Sequence, residues 1–328
     1  MASRDSVAKI NGIGFHVDLN HFDPASLKIY IKKLKKLKPQ WVRIEIDWKK
    51  YDDPKKILGL KTFCILCKEN NILIIGLLSQ FIPATLSNLI FPHYYHKSVF
   101  HNIPEYSIFT KNIVLMLKNE IYHWEIWNEQ NSKRFWINRP SPKEYLKFLV
   151  KMKKIISKIS PKSQLIFGGI NGNDITAMLP MPKSHFQYTG YLKKCLQLGA
   201  AKHINYIAFH PYTLSCYISL HNGKKIAETL KKRIFAMKHL YGKHRLVITE
   251  IGVSSTLNIR IKPKDIAYIY NELTQFCQKI DIPICLYALT DHNPKYFSRA
   301  NPDRDFGFLD HNLREKEIYY EYMKVSKK

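Results

Sequence analysis

The chain has 328 residues, 45% of them hydrophobic and 13% aromatic, which is ample for a packed core and excludes a disordered protein. No apolar run approaches the ~20 residues that a membrane span needs, and "MASRDSVAKINGIGF" lacks the apolar centre of a secretory signal. The expectation is a cytosolic protein, or one whose leader has been removed. The formal charge of +26 comes mainly from Lys, since only ten of the 52 basic residues are Arg. Nucleic-acid readers lean on planar Arg, and no basic run is interleaved with aromatics. The lysines therefore read as solvated helix faces, with no nucleic-acid partner expected and an anionic polysaccharide or membrane surface as the alternative.

Taken in chain order, strand-like runs fall at 13–18 (IGFHVD), 41–47 (WVRIEID), 72–78 (ILIIGLL), 123–129 (HWEIWNE), 164–169 (QLIFGG), 206–212 (YIAFHPY), 246–252 (LVITEIG) and 284–291 (ICLYALTD). Several are nearly continuous Val, Ile and Leu, as in parallel strands buried on both faces. Amphipathic stretches alternate with them at 24–37, 55–70, 107–119, 142–158, 186–199, 223–241, 263–280 and 312–325. Asp23-Pro24 and Ser141-Pro142 are helix-opening pairs. Strand then helix, eight times, predicts a single (β/α)₈ barrel over 13–328, with 1–12 as an N-terminal extension. The competitor, a doubly wound open sheet, would carry a Gly-rich phosphate turn after its first strand, and HVDLNHFD has none.

Two smaller motifs read as structural. Cys64 and Cys67 form a C-x-x-C inside an amphipathic helix pattern, without a second pair at zinc spacing. His93, His96 and His101 have no carboxylate or Cys at ligand spacing and read as a loop wall.

A barrel gathers functional residues at the C-terminal ends of its strands. Polar residues crowd there: Asp18 and Asn20, Asp47, Ser79 and Gln80, Asn128 and Glu129, Asn171, His210 and Tyr212, Glu250, then Asp291 and His292. Carboxylates ending strands four and seven face each other across the mouth. Such a pair suits glycosidic cleavage, one group protonating the leaving oxygen while the other attacks the anomeric carbon. Arg43 is expected to keep Glu250 ionised, with Tyr212 donating a second hydrogen bond. Glu129, flanked by Trp127 and Trp136, is the group expected to hold its proton.

The ordered set VRIEIDW, WEIWNEQN, FHPY and LVITEIG resembles clan A of the glycoside hydrolases. Within it, GIGFHVD, WEIWNEQN, LIFGGING and YALTDHN…DRDFGFLD look most like family 39 and its exopolysaccharide-hydrolase relatives. The resemblance runs from 13 to about 325. It implies a retaining double displacement on a carbohydrate, without cofactor or metal, with Glu129 as acid/base and Glu250 as nucleophile. It further implies that Asn128 binds the sugar 2-hydroxyl, that Arg43 supports the nucleophile, and that His210 and Tyr212 line the same subsite. His16 and Trp127 fall where the family places sugar-contacting or supporting groups. Glu125 reads as a partner inside the barrel. The chain departs from the family at Gln130, where proline is usual, and at YALTD, where many members place a tryptophan platform. Tyr287 or the 291–306 loop, Asp291 included, must then serve as that platform. Endo action on a polysaccharide is preferred; exo action and a carbohydrate-binding pseudoenzyme are the alternatives.

Overall fold

The computed structural model describes residues 7–19, 21–47, 51, 53–79, 103–132, 135–136, 140–172, 188–217, 222–255, 261–294 and 304–326. Eight parallel strands close into a barrel in sequence order, the first pairing with both the second and the eighth. They are β1 (Ile13–Val17), β2 (Trp41–Asp47), β3 (Leu73–Ser79), β4 (His123–Asn128), β5 (Gln164–Asn171), β6 (Tyr206–His210), β7 (Leu246–Ile251) and β8 (Ile284–Leu286). Around them run α1 (Pro24–Lys36), α2 (Pro54–Glu69), α3 (Ile103–Leu117), α4 (Pro142–Ile159), α5 (Tyr188–Gln197), α6 (Gly223–Tyr241), α7 (Pro263–Lys279) and α8 (Glu317–Val325). The expected (β/α)₈ barrel is the observed fold. Among the described residues no helix is long and apolar enough to cross a membrane.

Local chemistry sets the helix starts. Asp23, Asp53 and Ser141 each accept a backbone N–H from the first turn of the helix they open, and each is followed by proline. That proline already has a helical φ and lacks an N–H that would go unpaired there. The largest differences from the expected ends fall in the last strand and the last helix. Strand eight stops at Leu286 rather than 291, and the last helix starts at Glu317 rather than 312. Before that helix Asp310 folds the chain on itself, accepting the N–H groups of Asn312 and Arg314. An aspartate turn competes with helix for the same donors.

The strands show how the barrel positions its mouth. In β2 the even residues Val42, Ile44 and Ile46 join the cluster beneath the helices. The odd face reads Trp41, Arg43, Glu45, Asp47, and it turns toward the barrel axis. Its first member packs with Ile10, Ile75, Ile166, Tyr206, Ala208, Val247 and Cys285 to form an apolar floor. Ile10 belongs to that floor although it lies ahead of the first strand. Above the floor the same face becomes charged. All six cysteines are buried and unpaired, and burial pushes their thiols up, as core packing requires. The described lysines of α1 and α4 lie outward, with Lys28, Lys32, Lys35, Lys151, Lys154 and Lys158 all exposed.

One group near the floor predicts an acid limit. His123 starts β4, is 1% exposed, and burial pushes it down to about 4. The unfolded chain binds a proton there near its ordinary 6.5. Stability from this group is therefore complete above pH 6.5 and is lost as pH falls toward 4, by roughly 3 kcal/mol. Urea unfolding of His123→Gln should show a shallower loss across that window. An unchanged acid slope would assign the loss to other groups.

Candidate active site

The site is built around Arg43. Its Nε donates to Glu125 Oε2 at 2.7 Å and its Nη2 to Glu125 Oε1 at 3.2 Å and Asn128 Oδ1 at 2.9 Å. Its Nη1 donates to Glu250 Oε2 at 3.0 Å and meets His16 Nδ1 at 3.2 Å. Five contacts match the five N–H groups of a guanidinium. The residue is 1% exposed and Glu125 is fully buried, so this is an interior ion pair with every donor placed. The expected role of Glu125 as an interior partner is what the geometry gives.

The end of β4 departs from regular strand. Trp127 has φ +72° and Glu129 φ +47°, left-handed values that cost non-glycine residues of order 1 kcal/mol or more. This kink breaks the alternation. The Trp127 indole goes outward, meeting Tyr106, Trp136 and Phe148 and donating Nε1–H to the Phe135 carbonyl. Trp136 packs against Tyr145 and Phe148 in the same layer. Both indoles thus pack in the layer with Tyr106 and Phe148, where Trp127 supports the strand end from behind. The kink leaves Asn128 and Glu129 both committed to polar partners at the mouth.

The partner of Asn128 is Arg43 of β2, and those of Glu129 come from β5 and β6. Asn171 Nδ2 donates to Glu129 Oε2 at 2.7 Å, and His210 Nδ1 lies 2.9 Å from Glu129 Oε1. The same Nδ1 is 3.9 Å from Glu250 Oε2, so one imidazole edge faces both carboxylates. Glu250 also accepts from Tyr212 Oη at 3.1 Å. Tyr212 is seated by Arg233 of α6, whose Nη1 donates to the carbonyls of both Tyr212 and Gly172. His210 fits because residue 169 is glycine: a Cβ there would stand 2.1 Å from Nε2. One ligand-type atom each of Glu129, His210 and Glu250 lies within 4.8 Å of the others. A small cation fits that triangle by distance.

Burial pushes the Glu250 carboxyl above its ordinary range, with the neighbouring Glu129 adding to the effect. His210, Arg43 and the Tyr212 hydroxyl pull the other way and do not fully offset it. The expected contact of Arg43 with Glu250 is present, and it offsets the effect of burial only in part. Burial and Arg43 hold His16 neutral, well below its ordinary range.

Beside this group stands a second one. Tyr287 lies 4.8 Å from His16 between ring centroids, and its hydroxyl meets His292 Nε2 at 2.8 Å. His292 Nδ1 in turn is 3.5 Å from Asp18. Tyr287 is thus at the mouth, as expected. Asp291 is held by the fold: both its oxygens accept from Lys316 Nζ at 2.8 Å, and Oδ1 accepts the Gly307 N–H at 2.7 Å. It ties the segment after β8 to the start of α8. Asn20, Gln80, His93, His96 and His101 lie outside the described residues. The sequence reading assigned no role to Asn171, Thr249 or Arg233; only Asn171 carried a signal, as a polar residue ending a strand.

No family model matches the chain, and no curated protein matches it. Solved structures do. GH5_18 from Streptomyces cattleya in complex with GlcNAc superposes with a TM-score of 0.71 at 11% identity, over 98% of this chain and 80% of that one. Xylanase 10B from Thermotoga petrophila in complex with xylobiose gives 0.59 at 16%, over 97% and 94%. The exo-β-1,4-mannosidase Op5Man5 from an Opitutaceae bacterium gives 0.61 at 12%, over 97% of this chain and 59% of that one. At such identities the likeness is one of fold.

The Arg43 hub gives a stability test. Arg43→Met leaves the Glu125 carboxylate buried without its counter-charge, which costs on the order of 3–5 kcal/mol. Urea unfolding should show that loss, and adding Glu125→Gln should recover a large part of it. A fully additive double variant would mean that the two side chains are not energetically coupled.

Proposed function

We propose that this chain is a retaining glycoside hydrolase of the clan A type, with Glu129 as acid/base and Glu250 as nucleophile. The observation that carries the reading is the meeting of two carboxylates, from the ends of β4 and β7, with oxygens within 4.8 Å of each other across one imidazole. Retaining enzymes hold their carboxyl groups ~5–5.5 Å apart, and inverting ones leave room for water at ~6.5 Å or more. The short separation supports direct attack.

In the first step a Glu250 oxygen bonds to the anomeric carbon while the glycosidic C–O bond breaks. The proton of Glu129 goes to the leaving oxygen. In the second step water attacks that carbon, gives its proton to Glu129, and releases Glu250. Asn128, held by Arg43 through its Oδ1, keeps its Nδ2–H₂ for a substrate hydroxyl. Tyr287 serves as the aromatic platform in place of the family's tryptophan. The described strand ends carry Asp18, Glu45, Asp47, Glu129 and Glu250 against Arg43 and Lys316, a balance that supports a neutral glycan over a polyanion. The motifs WEIWNEQN and LIFGGING support family 39 within the clan, while the superposed structures include GH5_18 and a xylanase. Endo action on a polysaccharide is our reading, supported by the long connections from Ser79 to Ile103 and from Leu286 to Glu317.

Two variants separate the roles. Glu250→Ala should lose turnover, with azide restoring slow formation of an inverted glycosyl azide. Glu129→Ala should still form the glycosyl-enzyme from a dinitrophenyl glycoside and, with azide, give a retained product. On substrates with poor leaving groups it should lose roughly 10²–10⁴-fold. Exchanged stereochemical outcomes would reverse the assignment, and unaffected turnover would place the site elsewhere. The acid limb of activity should sit above the usual carboxylate range, because Glu250 is raised and reacts only when ionised.

A further inference from the structure

The hydrogen-bond chain behind Glu129 fixes the donor in the contact between His210 and Thr249. Glu125 faces the guanidinium of Arg43 with both oxygens and is therefore ionised, an acceptor only. Its Oε1 also accepts from the Gly169 N–H at 2.9 Å and from Thr249 Oγ1 at 3.1 Å. Thr249 has a single hydroxyl proton, and Glu125 takes it. The contact of 3.1 Å between Thr249 Oγ1 and His210 Nε2 must then run from the ring, with Nε2–H as donor. In the neutral imidazole this leaves a lone pair on Nδ1, 2.9 Å from Glu129 Oε1.

Resting on the acid/base reading of Glu129, we propose that Thr249, fixed by Glu125, is a positioning residue that holds His210 in the Nε2–H tautomer and keeps an acceptor aimed at Glu129. The acid proton is held between Oε1 and Nδ1 until a leaving oxygen enters to take it. Thr249 touches neither substrate nor reacting atoms; it acts through the ring. The other groups facing this pair are Glu250 at 3.9 Å, Arg43 and Tyr212 on Glu250, His16 on Arg43, and the neutral Asn171 on Glu129 Oε2. None of them reaches Nε2, which packs over Gly169 and meets Thr249. The tautomer therefore depends on the threonine hydroxyl.

Thr249→Val keeps the shape and removes the hydroxyl. Its methyl would face a buried Nε2–H, an arrangement that favours moving the proton to Nδ1. The ring would then donate to Glu129 and favour the carboxylate, the wrong form for the first step. We expect the alkaline limb of kcat/KM to move down by about one pH unit, a tenfold loss beyond the limb. The loss should fall on poor leaving groups and spare a dinitrophenyl glycoside, whose departure needs no acid. Thr249→Ser should restore both limb and rate.

Imidazole ¹⁵N shifts of full-length wild type read the tautomer without any turnover, so this test survives even if the glycosidase reading fails. Nε2–H in the wild type, lost in Thr249→Val and regained in Thr249→Ser, supports the proposal. Nδ1–H in the wild type would overturn it, as would a limb unmoved in the valine variant or a serine variant as impaired as valine. Should the valine variant not fold, the wild-type tautomer and the serine rates decide.

Discussion

The ion pair between Arg43 and Glu125 is the constraint on which the rest of the site depends. Two opposite charges at mid-height of a barrel are tolerated only if every lone pair and proton has a partner, because desolvation otherwise exceeds their attraction. Here the guanidinium spends its five donors on Glu125 twice, Asn128, His16 and Glu250. Glu125 completes its shell with the Gly169 N–H and the Thr249 hydroxyl. These contacts reach β1, β2, β4, β5 and β7, so the relative positions of five strands are fixed at the level where the reacting groups begin. A lysine in place of Arg43 would supply three donors without the planar fork, too few for this arrangement.

The same pair sets the charge of the reaction centre. Glu125 neutralises Arg43, so Glu250 carries a negative charge that the guanidinium stabilises only in part. Burial, with Glu129 adding to it, raises the Glu250 carboxyl beyond what the guanidinium offsets. One edge of the His210 ring faces both carboxylates, 2.9 Å from Glu129 and 3.9 Å from Glu250, so the charge on one bears on the other. A centre with one fewer carboxylate would be easier to ionise, but Arg43 would then be free to swing toward Glu250 and leave Asn128 unplaced.

Much of this was legible in the sequence, for physical reasons that differ by residue. WVRIEID announces an amphipathic strand, and NE and TE at the ends of strands four and seven announce facing carboxylates. Asp23-Pro24 and Ser141-Pro142 gave their helix starts because capping is local. The outward face of Trp127 was not legible, because alternation assigns faces only while φ stays extended and left-handed backbone at 127 and 129 leaves no mark in residue type. The ion pair of Asp291 was not legible because its partner, Lys316, comes from a segment 25 residues away. Thr249 gave no signal: a β-branched residue is what any strand prefers.

The fold and the site make separate demands on the same strands. An eight-stranded barrel needs apolar packing at its floor, which Trp41, Ile75, Ile166 and Val247 provide. Structures with 11–16% identity share that architecture, so few of its side chains are dictated by closure itself. Two residues beyond Trp41 and Val247, Arg43 and Thr249 join Glu125 of β4 at interior positions that apolar residues would fill at lower desolvation cost. Closure does not require charge there. The polar layer is what lets His210, Glu129 and Glu250 stand at fixed spacing above it, so the barrel's mid-height marks where packing gives way to chemistry.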